Sequence, residues 1–142
     1  MKIIKILVDT NVILDFFLFR EPKREAVTEL FEQICQERIE AFTTASSITD
    51  IYYITAKRLG DSQAREVLYN LLGILGIISV DGADCAKALD LPISDFEDAL
   101  VVTCAEKADV GYVISSDKDF LCVKTPATRV ITAEDFLKML RD

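Results

Sequence analysis

The run Lys5-Ile6-Leu7-Val8-Asp9 is apolar until it stops at a carboxylate, the pattern of a strand buried on both faces that reaches the rim of its sheet. Val12 to Phe19 follows as a short, strongly apolar helix. Arg20-Glu21-Pro22-Lys23-Arg24 interrupts it, with Pro22 suited to the first residue of the next helix. From there to about Arg38, Ala26, Leu30, Phe31, Ile34 and Cys35 share one face at helical spacing, which predicts an amphipathic surface helix. Ile39 to Thr43 reads as a second strand. Thr44-Ala45-Ser46-Ser47 then offers hydroxyl caps for a helix from about Ser47 to Leu59, with Asp50 in its first turn. Gly60 ends that helix, and Asp61 or Ser62 opens another through about Leu72. Gly76 to Val80 is the third strand.

A short helix from about Ala83 to Leu89 leads to Leu91-Pro92-Ile93, after which Ser94-Asp95-Phe96-Glu97 has capping-box spacing, Ser at the N-cap and Glu at N3. The helix behind it, to about Lys107, is apolar nearly all round, so it is buried. Gly111 to Ser115 is a fourth strand ending in Ser116-Asp117-Lys118-Asp119-Phe120. Arg129 to Thr132 is a fifth, and Glu134 to Arg141 a closing helix. Strands alternating with helices predict an α/β fold with a parallel sheet. No linker, internal repeat or low-complexity segment divides the chain, so residues 1–142 read as one domain.

Composition narrows the chemistry. At 142 residues with 51% hydrophobic side chains, the chain can bury a core without staples. Its longest largely apolar stretch, Leu71 to Val80, falls well short of the roughly 20 residues a membrane helix needs, so a soluble protein is expected. Lys2 and Lys5 precede an apolar segment with no small-residue cleavage site, which reads as a mature strand and points to the cytoplasm. The cysteines (Cys35, Cys85, Cys104, Cys122) are widely spaced with no C-x-x-C pair, and read as reduced core thiols. The absence of histidine removes the usual general base and every Ser-His or Cys-His nucleophile. Carboxylates must carry any chemistry. A net charge of −8 argues against a protein that coats nucleic acid, but not against one that meets phosphate through a metal.

The acidic residues at special places are Asp9 after strand one, Asp50 near a helix start after strand two, Asp95 and Asp98 opening the buried helix, and Asp117 and Asp119 after strand four. Each has a structural alternative. Asp9 caps the next helix equally well, Asp50, Asp95, Glu97 and Asp98 favour the positive end of a helix dipole by about 0.3 to 1 kcal/mol apiece, and Asp119-Phe120 fits an ordinary turn. Together, however, carboxylates gathered at one rim repel one another unless a cation neutralises them. Oxygen-only ligands select a hard ion such as Mg²⁺ or Mn²⁺, able to activate water against a phosphodiester.

In this order and context, Val8-Asp9-Thr10-Asn11, Ser46 to Tyr53, Asp95-Phe96-Glu97-Asp98-Ala99 and Ile114-Ser115-Ser116-Asp117-Lys118-Asp119-Phe120 resemble the PIN domain over essentially the whole chain. The resemblance implies a three-layer α/β/α sandwich around a central parallel sheet. It also implies a Mg²⁺- or Mn²⁺-dependent endoribonuclease like the VapC-type toxins of toxin–antitoxin pairs, with RNA as substrate, a cognate antitoxin as partner, and a homodimer. Asp9, Asp98 and Asp117 fall on its metal-binding positions, Asp95 as a further ligand, and Asn11 and Ser115 on the polar positions beside them. Asp50 falls where most such toxins carry Glu, and its shorter side chain suits contact through water.

Two other functions compete. A phosphotransfer domain is disfavoured because Asn11 stands where a haloacid-type phosphatase needs a second Asp, and no central strand ends in an Asp suited to a receiver domain. A PIN-like interaction module without activity fits the net charge and the Asp50 departure. With such a charge, RNA must be gripped by a local basic patch, and Arg20, Lys23 and Arg24 form the densest one. Tyr52, Tyr53 and Leu68, on consecutive helices, serve either a dimer face or the core.

Overall fold

Alternation of side chains along the strands builds two apolar surfaces from one sheet. Ile6 and Val8 face one side with Ile114 and Ile131, while Leu7 faces the other with Val113 and Val130. The computed structural model describes residues 3–142, so Lys2 lies outside the described residues. Five parallel strands, β1 (Ile4–Val8), β2 (Ile39–Thr44), β3 (Gly76–Ile78), β4 (Tyr112–Ile114) and β5 (Arg129–Ile131), lie in the order β3-β2-β1-β4-β5. In register, Leu7 pairs with Phe42 and Val113, and Val8 with Ile114. All five strands therefore end along one rim.

Helices cover both surfaces. Against the Ile6 and Val8 face pack α1 (Thr10–Phe17), α2 (Arg24–Cys35), α3 (Ala45–Leu59), α4 (Asp61–Ile74) and α8 (Ala133–Arg141). The Leu7 face is covered chiefly by α6 (Phe96–Lys107) and α7 (Lys118–Leu121), with α5 (Gly82–Leu89) packed on α6. These are the three layers that the resemblance implied. The consecutive residues Ala99 to Ala105 are all buried, as an apolar helix between sheet and α5 requires. Gly60, at φ 91, makes the turn between α3 and α4 in a conformation few other residues tolerate.

The structure corrects several expectations. Pro22 does not open α2: Lys23 O accepts the first helical hydrogen bond, from Val27 N at 3.1 Å, so the helix starts at Arg24. Thr44, still within β2, caps α3 through Ser47 N, which puts Asp50 in the second turn. Ser94 does not cap α6, because Asp95 does so one residue later. The cysteines are free, but only Cys104 is buried, while Cys35 and Cys122, each at or just beyond a helix end, are exposed. Tyr53 is 66% exposed, whereas Leu68 packs against the core. Among the described residues no helix is long and apolar enough to cross a membrane.

Candidate active site

The parallel strands deliver their C-terminal residues, and the helices that follow them begin, on the same rim. Asp9 leaves β1 and caps α1, its Oδ1 accepting from Thr10 N at 3.0 Å. Its Oδ2 accepts from Ser115 Oγ at 2.9 Å, and that hydroxyl in turn accepts from Asp117 N at 3.1 Å. A fully buried serine thus fixes the carboxylate after β1 against the backbone after β4, across 106 residues of sequence. Asp117 caps α7 through Asp119 N at 3.0 Å, and Asp95 caps α6 through Asp98 N at 3.1 Å. The structural alternatives foreseen for Asp9 and Asp95 are therefore real, yet each cap uses one carboxylate oxygen and leaves the other for a second partner.

Asp9, Asp50, Asp95, Asp98 and Asp117 line one cavity of about 460 Å³, together with Asn11. Glu97 lines it too. With the cap at Asp95 and not Ser94, Glu97 does not complete a capping box, and its side chain joins the acidic wall, where Asp50 is its strongest charged neighbour. Among the described residues no Lys or Arg lines this cavity. The starts of α1, α3 and α6 border it, so its polar boundary combines carboxylates with the positive ends of three helix dipoles.

The charges register this crowding. Burial raises the Asp9 carboxyl above its usual range, opposed by the Ser115 and Thr10 hydrogen bonds and reinforced by Asp117 and Asp95. Asp98 is pushed up to about 7, by desolvation first and then by Asp95, Asp9, Asp117 and Glu97, with no hydrogen bond to offset them. Glu97 is raised by desolvation and by Asp50, Asp95 and Asp9.

The basic patch lies elsewhere. Arg20 turns toward the buried Asp15, Nη1 to Oδ1 3.7 Å, and the Arg24 guanidinium lies 4.3 Å over the Phe19 ring. Lys23 lines a separate small cavity beside Ser116 and Glu134.

A sequence profile of the PIN domain matches residues 5–119. The chain belongs to the PIN domain family. Among curated relatives of this PIN domain, Ribonuclease VapC1 of Aquifex aeolicus (strain VF5) is 28% identical over 137 residues, covering 93% of this chain and 92% of that protein. Among solved structures, Mycobacterium tuberculosis VapC20, described as a sarcin-ricin loop cleaving toxin, superposes with a TM-score of 0.68 at 16% identity, over 87% of this chain and 98% of that one. VapBC2 from Rickettsia felis, bound to a DNA fragment from its promoter, superposes with a TM-score of 0.67 at 13% identity, over 91% and 98%. At such identities the structural likeness establishes the fold, and the chemistry rests on the residues of this chain.

PIN-domain nucleases work with a divalent ion, and the donor set can be weighed against that. Among the described residues every titratable donor on the wall is a carboxylate, and no Lys or Arg on it balances them. Yet among the described residues no three carboxylates stand close enough to hold one ion directly. That spacing suits a small hard ion that keeps several waters, takes one or two carboxylates and completes its shell with substrate phosphate oxygens. The residues fit Mg²⁺ or Mn²⁺ on those terms.

Proposed function

We propose that the chain, as one domain, is a Mg²⁺- or Mn²⁺-dependent endoribonuclease serving as the toxin of a toxin–antitoxin pair in the cytoplasm. The observation that carries this reading is the Asp9–Ser115–Asp117 linkage, which fixes the Asp9 carboxylate at the end of β1 against the Asp117 backbone inside an acidic cavity that no Lys or Arg lines among the described residues. The similarity to Ribonuclease VapC1 and to VapBC complexes supports RNA as substrate and an antitoxin protein as partner. By the same family likeness the toxin self-associates.

Asp9, Asp98, Asp117 and Asp95 would surround the ion, one or two of them bound to it directly and the others, with Asp50, acting through its waters. The ion supplies charge neutralisation at the phosphodiester and a more acidic water. The chain does the rest. Ser115 orients the Asp9 carboxylate and favours its charged form, against the effect of burial, by donating to Oδ2. The N-termini of α1, α3 and α6 present backbone N–H groups where the anionic phosphate sits. Asn11, exposed at the cavity mouth, orients substrate, and Asp50 and Glu97 form the opposite wall, where a carboxylate is available to accept the proton of attacking water.

The open spacing of the carboxylates also suits a PIN-like interaction module without activity. Expression in a bacterial host separates the two readings. A toxin nuclease arrests growth and fragments cellular RNA, and both effects disappear with Asp117→Asn or on co-expression of the protein encoded next to it. Arrest that Asp117→Asn leaves intact would sink the nuclease reading.

A further inference from the structure

Among the described residues the acidic cavity has no cationic side chain to grip the strand beyond the scissile phosphate, so the neighbouring surface must provide it. A second concavity, of about 770 Å³, shares Asp95, Asp98 and Asp117 with the first and continues outward from them. Its far side differs in character. Pro92, Ile93 and Val123 give it apolar walls, and it carries Lys124, the one Lys or Arg among the described residues that lines either concavity.

These walls are held in place. Ile93 and Val123 pack partly into the core on the Leu7 face of the sheet. The segment between α7 and β5 is pinned by Val123 N donating to Phe120 O at 3.0 Å and by Thr125 Oγ1 donating to Thr128 O at 2.7 Å. Lys124 therefore stands on a fixed loop directly downstream of Asp117, unlike Arg20 and Arg24, which are occupied by Asp15 and Phe19.

We propose that this second concavity is a nucleotide subsite for single-stranded RNA. The nucleotide next to the scissile phosphate lays its base against Pro92, Ile93 and Val123, and Lys124 contacts its outer phosphate. Asp119, on the same wall, repels bare phosphate and accepts from the sugar 2′-hydroxyl or a base amine, a donor that RNA offers at every sugar. An unpaired strand is required because the base must leave a stack to reach an apolar wall. The assignment rests on the nuclease reading and adds to it where the strand runs.

Cys122 lines the same concavity and is exposed, whereas Cys35, equally exposed, ends α2 outside it. The chain therefore carries a probe and its own control. The test alkylates the full-length protein with a maleimide in Mg²⁺, with and without a cleavage-resistant phosphorothioate oligoribonucleotide, and reads each cysteine by peptide mass spectrometry while anisotropy reports binding. With RNA at about ten times its Kd, Cys122 alkylation slows about tenfold, following the fraction of unoccupied protein, and the Cys35 rate does not change. Lys124→Ala weakens binding and lowers the slope of log affinity against log salt by about 0.7, the loss of one single-strand phosphate contact. RNA that binds while Cys122 reacts at its free rate overturns the subsite and leaves the nuclease reading standing. Absence of any RNA binding overturns both.

Discussion

Replacing Asp98 by Asn should stabilise the metal-free protein, and the gain should depend on pH. Asp98 sits half-buried in the first turn of α6 with Asp95, Asp9, Asp117 and Glu97 around it, and its carboxyl is pushed up to about 7 from 3.8. Such a displacement corresponds to about 4 kcal/mol against the charged form at full burial. Because water reaches this side chain, screening reduces it to about 1–2 kcal/mol. The folded state binds the proton more tightly than the unfolded one, so stability falls as pH rises between 3.8 and about 7. The full penalty is therefore present at pH 8, and about a third of it at pH 5. Asparagine is neutral throughout and keeps the backbone N–H that Asp95 accepts. Thermal melts in EDTA should place Asp98→Asn about 3–8 °C above the parent at pH 8, with a clearly smaller gap at pH 5. Mn²⁺ should raise the melting temperature of the parent and do little for the variant. A variant less stable than the parent at pH 8, or a gap that does not change with pH, would refute the account of a charge-strained site.

Three further outcomes separate the elements of the site. Ser115→Ala leaves Asp9 Oδ2 and the Asp117 amide without their shared partner, and chemical denaturation should show a loss of about 1–3 kcal/mol together with lost RNA cleavage. Asp50 projects from the second turn of a helix and not from a strand end, so Asp50→Asn should keep measurable cleavage and Asp50→Glu should preserve or raise it; an Asp50→Asn protein as inactive as Asp9→Asn would make Asp50 a direct ligand. Asp81→Ala removes the cap of α5, where Asp81 accepts from Asp84 N at 3.0 Å, and should cost about 1 kcal/mol in denaturation with cleavage unchanged.

The parts of this structure legible in the sequence were those written in repeated pattern. Buried parallel strands announce themselves as apolar runs, and Asp9 stands where one such run stops and Asp117 just beyond another, so both rim positions are legible in the sequence. What was missed depends on single-residue choices. Ser94 and Asp95 are both good N-caps, and local chemistry favours neither; the selection of Asp95 released Glu97 from the expected capping box into the cavity wall. The α7 helix is four residues long, too short for any hydrophobic period to show. The direction of a long cation is likewise invisible in sequence. Arg20, Lys23 and Arg24 are dense along the chain, but Asp15 and Phe19, their near neighbours, capture the two arginines away from the acidic cavity. Lys124, isolated in sequence, shares a concavity with the acidic rim.

The most direct test of the acidic rim as a metal-dependent ribonuclease centre is cleavage of end-labelled single-stranded RNA by the purified chain, with Mn²⁺, with EDTA, and with Asp9→Asn in Mn²⁺. The account predicts internal cleavage by the parent in Mn²⁺ alone, with none in EDTA and none by an Asp9→Asn protein whose melting curve shows it folded. Cleavage that persists in EDTA, or in folded Asp9→Asn protein, would contradict it.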